Sequence, residues 1–228
     1  MLPYSPQLDP LNSPHPIPWN WVQATLNSQV SAQAARLHSY RSLSLVSPDG
    51  RYAAYSRIQL RVMRSWFQSQ VSSLLFLENL ETGDLQPITP SSPLADNPFL
   101  EQAELPDGRI SMIVPVSWSA ESDRLLAREF ESLFSSDIAS DYAVMVDCRT
   151  RQVSTVAPTA LIYTHAILLG WSQAHPDRAL FMAGNLGEED WPLWTVAVTG
   201  ETKPAPGDHP LILGQTVNHL WMGPQVQS

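Results

Sequence analysis

The 228-residue chain is 43% hydrophobic and 15% charged, a balance that suits one globular domain with a buried core. Its net charge of −9 argues against general nucleic-acid binding, and no apolar run approaches the ~18 residues that a membrane-spanning helix needs. The single Cys148 excludes an internal disulfide, and twenty prolines against ten glycines point to many stiff turns and few long helices.

The first residues, Met1-Leu2-Pro3-Tyr4, lack the basic and apolar regions of a secretory signal, so the cytoplasm is the expected compartment. Residues 1–18 hold six prolines and no periodicity. They read as an extended arm, either free or laid along the domain through Tyr4, Leu11 and Ile17. From Trp19 to Leu37, Val22, Leu26, Val30, Ala34 and Leu37 recur at spacings near three and four, which predicts a helix. Its expected role is to pack on a sheet or cover an open edge; a partner-binding helix is the alternative.

The clearest stretch follows. In Leu45-Val46-Ser47-Pro48-Asp49-Gly50-Arg51-Tyr52, Pro48 presets the first central position of a turn, and Asp49 and Gly50 suit the next two. Beyond it Ile58, Leu60 and Val62 alternate with Gln59 and Arg61, the period of a half-buried strand. Strands are expected near 42–47, 51–63, 72–79 and 85–89, the last two joined by a turn at Asn79-Leu80-Glu81-Thr82-Gly83. In the loop between the second and third, Trp66 and Phe67 stand beside Arg64 and the Arg57 and Arg61 of the second strand, either a contact patch, since aromatics and Arg favour interface centres, or rings folded back onto the core.

Two weaker copies come later. Residues 88–106 form a Pro- and Ser-containing connector into Pro106-Asp107-Gly108-Arg109 and a strand. Val116-Ser117-Trp118-Ser119 then leads through a polar turn into Arg124–Leu133, and Leu169-Gly170-Trp171-Ser172 through another into Arg178–Asn185. Met145–Val153 matches the stretch Leu77–Leu85 by residue class, and Val196–Thr202 is a shorter version. Glu129, Glu131, Asp137 and Asp141 match no metal-loop spacing and are expected to form a solvated acidic loop. Glu188, Glu189 and Asp190 stand beside Trp191 and Trp194, either a second contact patch of opposite sign or an acidic turn with both rings packed inward. Pro210–Gly214 and Leu220–Met222 can supply a last strand.

Ser-Pro-Asp-Gly-Arg before an apolar strand, then a strand ending in Asn-Leu-Glu-Thr-Gly, resembles the repeat of TolB-type and WD40-like β-propellers. In that family each repeat is a four-stranded blade of ~40–45 residues. The likeness covers about residues 38–206 and is close only in the first copy. The key serines stand 72 and 53 residues apart, so loops carry insertions, and three copies fall short of the usual ~4 blades. The expected fold is mainly β: a partial or small propeller-like repeat domain with one N-terminal helix. Its arm is 1–18, its single domain 19–228, its helix 19–37, its units about 38–89, 105–157 and 160–206, and its closing segment 207–228. An open propeller, one closed by the chain ends, and a twisted sandwich all remain open.

Gly170-Trp171-Ser172-Gln173-Ala174 lacks the second glycine of a hydrolase elbow. The six histidines are scattered, and there is no phosphate loop. No enzyme activity, cofactor or metal is expected. The chain is basic over residues 36–64 (net +5) and acidic over 65–228 (net −13), a polarity that can steer a protein partner or support head-to-tail self-association. The leading expectation is a non-catalytic interaction module, a scaffold or assembly factor of a larger cytoplasmic complex. The alternatives are the accessory propeller of a serine-hydrolase system and a small-ligand sensor with an aromatic pocket built from some of Trp118, Trp171 and Trp194.

Overall fold

A computed structural model describes residues 8–28, 36–95, 106–218 and 221–225. Among these residues one α-helix, α1 (Trp19–Ser28), and one short 3-10 helix (Trp66–Gln68) accompany sixteen strands, so the protein is mainly β.

The first thirteen strands fall into three antiparallel meanders. The first contains β1 (Arg36–Arg41), β2 (Ser44–Val46), β3 (Tyr52–Val62), β4 (Gln70–Asn79) and β5 (Leu85–Ile88). Here β1 and β2 are halves of one strand bent at Ser42 and Leu43, and both pair with β3, Arg41 opposite Arg57 and Leu45 opposite Ala54. The second contains β6 (Arg109–Trp118), β7 (Arg124–Leu133), β8 (Ala139–Asp147) and β9 (Val153–Val156). The third contains β10 (His165–Ser172), β11 (Ala179–Gly184), β12 (Leu193–Val196) and β13 (Thr202–Pro204).

Leu45–Tyr55, Val116–Leu126 and Leu169–Leu180 all occupy the link from first to second strand of a unit. One buried serine builds each link. The N–H groups of Ser47, Ser119 and Ser172 donate across the turn to the carbonyls of Tyr52, Arg124 and Arg178, at 2.9, 2.8 and 2.9 Å. Their hydroxyls donate to Asp49, Asp123 and Asp208, at 2.7, 2.8 and 2.5 Å. Each hydroxyl also accepts a backbone N–H, from Tyr52, Arg124 and His175. The third turn is longer, and its aspartate comes from the C-terminal segment.

The links from third to fourth strand repeat as well. Asn79 Oδ1 accepts the N–H groups of Glu81 and Thr82, and Asp147 Oδ1 those of Arg149 and Thr150. Gly83 at φ +75° closes the first, and Arg151 at φ +60° holds the same position in the second.

These units share sheets. A single parallel bridge, Val71 to Ile110, joins the first two, which with two C-terminal strands make an 11-stranded sheet, and the third with one C-terminal strand makes a five-stranded sheet. The C-terminal segment ties all three together at their first strands. β14 (Pro210–Leu211) pairs with β10, Leu213 O accepts from Trp118 N–H, and β15 (Gln215–Val217) pairs with β2. Finally β16 (Gly223–Gln225) pairs with β1.

Apolar side chains meet in three clusters. One, with Leu75, Leu77, Trp118, Leu125 and Val146, lies between the first and second units; another, with Leu126, Met145, Trp171 and Phe181, lies between the second and third. The last brings Ile58, Leu60, Met112 and Phe130 against Ile17 of the arm and Val22 and Leu26 of α1. The arm is therefore docked over its described part, with Leu11 and Ile17 buried; Tyr4 lies outside the described residues.

Two expectations need correction. Leu37, expected to end the helix, lies in β1 opposite Arg61, because the ladder to β3 outweighs a helical spacing; residues 29–35 lie outside the described residues. Glu129, Glu131 and Asp141 do not form a solvated loop but are buried, and only Asp137 of the four is exposed.

Candidate functional site

β7 is buried on both faces from Leu125 to Ser132, so its charged residues must find partners inside. Arg128, fully buried, donates through Nε to Asp141 at 2.7 Å and through Nη1 to Asp9 at 2.7 Å and to the carbonyl of His15 at 2.7 Å. Asp9 also accepts the N–H groups of Leu11, Ser13 and Ile17, while Asp141 accepts that of Leu168. One guanidinium thus joins the arm, the second unit and the third. Complete burial pushes Asp141 up to about 6 against the pull of Arg128. Burial also works against the charge on Asp9, but the hydrogen bond and charge of Arg128 hold that carboxyl below its usual value. On the other face Glu129 accepts the N–H groups of Ser91 and Ser92, and Glu131 that of Leu94. These carboxylates anchor a connector; they do not face a substrate.

Above this buried frame the three connections from second to third strand converge. Trp66 of the first, Phe134 to Asp137 of the second and Leu186 of the third line one groove of about 410 Å³, with Pro10 of the arm and Trp19 of α1. Trp66 stands edge-on to Phe67 and to Phe134, with ring centres 6.2 Å apart in each pair, and Phe134 stacks on Trp19 at 6.1 Å. Trp66, Phe67 and Leu186 are 54, 50 and 63% exposed, unusual for large apolar side chains. Of the residues expected as contact patches only Trp66 lines this groove; Leu186 precedes the acidic turn, whose Glu188, Glu189 and Asp190 do not line it.

The other expected residues divide. Arg57 and Arg61 project from the outer face of the first unit, and Arg64 is exposed in the loop after β3. Glu188, Glu189 and Asp190 are exposed, and Glu188 accepts the N–H of Asn185. Trp191 is half-buried: it lies on Gly184, stacks on His165 at 5.8 Å and donates to the carbonyl of Asn185. Trp194 packs on the cluster between the second and third units. Trp118 and Trp171 are 0 and 1% exposed; Trp171 shares its cluster with Trp194, whereas Trp118 lies in the cluster between the first and second units. Phe134, Leu186 and Trp19 were not singled out from the sequence; an aromatic at the tip of the 134–140 loop was the available signal.

Nucleophiles are engaged elsewhere. The Ser172 hydroxyl donates straight to Asp208, as its two counterparts do to theirs, and Ser172 is fully buried. Burial and nearby Asp147 push the Cys148 thiol up to about 12, so it stays protonated at neutral pH. Among the described residues no group of three His, Cys, Asp or Glu side chains could hold a metal ion, and no helix is long and apolar enough to cross a membrane. A second cavity, of about 390 Å³, lies between the arm and the first strands, lined by His15, Tyr40, Leu45, Val114 and Ile212. No protein-family model and no curated protein matches this chain.

Proposed function

We propose that this chain is a non-catalytic protein-interaction module, a scaffold or assembly factor within a larger cytoplasmic complex, and that the loop-end groove receives its partner. The observation that carries this reading is the convergence of the three second-to-third connections on one hollow lined by exposed Trp66 and Leu186, with exposed Phe67 beside Trp66. Aromatic residues held at the surface by a rigid sheet frame suit an interface centre, because they bury much area with few rotors to freeze. The three meanders, with matching turns and a C-terminal segment touching each first strand, support reading them as blades of a small propeller-like repeat body.

The test is Trp66→Ala with Phe67→Ala. Both rings are about half exposed, so thermal stability should change by less than about 1 kcal/mol. Tagged wild-type and variant chains are recovered from the native cell and their stoichiometric companions identified. The reading expects a wild-type companion that the variant loses at unchanged melting temperature. A companion retained in full, or none with wild type, overturns it.

A further inference from the structure

We propose that the outer face of the first unit is a docking surface for an acidic segment of a partner protein. This rests on reading the chain as an interaction module, but it uses a surface other than the loop-end groove. The strand register puts Arg41 of β1 directly opposite Arg57 of β3. Like charges in that relation destabilise a sheet. No carboxylate separates them. Instead the Arg41 guanidinium lies 3.9 Å over the Tyr55 ring, the Arg57 guanidinium 5.8 Å over Phe76, and the two rings stack at 5.4 Å. The rings support both charges on the sheet without neutralising them.

Neighbouring positions extend the pattern. Arg57 and Arg61 are exposed and form no ion pair among the described residues, and neither β1 nor β3 contains an acid. Arg41 donates through Nη2 to the Ser44 hydroxyl at 3.3 Å, while its buried Nη1 has no hydrogen-bond partner among the described residues. Arg61, Gln59, Gln70, Ser72 and Arg109 line a hollow of about 390 Å³ whose side-chain N–H and O–H groups suit a carboxylate. Along β3, Arg57 and Arg61 stand about 13 Å apart at ~3.3 Å per residue, so an extended segment with acids four residues apart would reach both.

Charge and chemistry favour a short acidic protein segment over another anion. Residues 65–228 carry a net −13, which repels a long polyanion. Half-buried Leu74 and Phe76 and partly exposed Leu37, interleaved with the arginines, offer contacts to apolar side chains that a phosphate backbone lacks.

The probe is a fluorescein-labelled peptide of three Glu-Phe-Glu-Leu repeats, read by fluorescence polarisation against the full chain. Wild type should bind it, with affinity falling at least about tenfold from ~50 to ~300 mM salt. Arg57→Glu with Arg61→Glu should lose at least about tenfold at unchanged melting temperature, and Arg57→Lys with Arg61→Lys should keep part of the affinity. Trp66→Ala with Phe67→Ala should bind as wild type, which separates failure here from failure of the groove. A peptide with Gln for every Glu should not bind. Absent binding, undiminished binding by the Glu variant, or equal binding of an oligothymidine or of phosphatidylserine vesicles overturns the proposal.

Discussion

The two ends of the three units are built on opposite plans. At the turn end each first-to-second link uses one serine, one aspartate and the same cross-turn hydrogen bond, whatever the residues between. At the loop end the second-to-third connections share nothing: a 3-10 helix at Trp66–Gln68, a short turn at 134–138, an acidic loop at 185–192. Repeated hydrogen bonding marks the part that specifies strand pairing. Divergent loops with exposed aromatics mark the part free to recognise something, as loops on a rigid frame generally are. The loop end is not loose underneath, because Arg128 anchors it to the arm and to β8.

That anchor gives the largest expected effect. Arg128→Met removes the guanidinium and leaves two buried carboxylates facing one another. Such uncompensated charge costs about 3–5 kcal/mol, measurable as a drop in urea midpoint. Hydrogen exchange then tests the comparison itself. Amides of Leu11, Ser13 and Ile17, which Asp9 accepts, should lose more protection than the cross-turn amides of Ser47 and Ser119. Equal loss at both ends would mean that the two plans are energetically one.

The turn end was legible because its determinants are local. Ser47, Pro48, Asp49 and Gly50 carry the whole first turn within six residues, and the alternation Ile58 to Val62 needs no distant partner to be read. The buried ion group was not legible, because Asp9 and Arg128 are 119 residues apart and the carbonyls and N–H groups they use leave no spacing in the sequence. One signal was present: Leu125 and Ala127 on one face of β7 and Leu126 and Phe130 on the other flank Arg128 and Glu129, and charges in a strand with apolar residues on both faces cannot stay solvated. Leu37 misled for the converse reason. Its helical spacing from Val30 and Ala34 was real, but pairing with Arg61 of β3 decided its structure. The exposed groove follows from how three loops of unrelated sequence meet, which no single loop encodes.

Next in size are the three serines. Replacing Ser47, Ser119 or Ser172 by Ala removes a buried hydroxyl that both donates and accepts, at about 1–2 kcal/mol each. Equal costs, read from denaturant unfolding at constant m, would confirm a shared structural role. Ser172→Ala should stand slightly apart, since Asp208 joins its turn to the C-terminal segment. A variant whose stability held while its turn lost only flexibility would break the equivalence.

The smallest effect has the opposite sign and arises where the second unit departs from the first. Gly50 and Gly83 sit at φ +74° and +75°, and the second unit puts Ser122 and Arg151 at φ +61° and +60° in the matching places. A side chain there costs roughly 1–2 kcal/mol, while glycine gives back about 0.5–1 kcal/mol in unfolded-chain entropy. Arg151→Gly should therefore stabilise by a few tenths to ~1 kcal/mol, since its exposed contact with Asp84 at 3.8 Å contributes little. Ser122→Gly should gain less, because the Ser122 hydroxyl accepts the N–H of Asp49 and so links the turns of neighbouring units. Thermal unfolding of the two variants side by side separates the cases: a larger gain from Ser122→Gly would show that the hydroxyl contributes nothing, and that the turns of the first and second units stand independently.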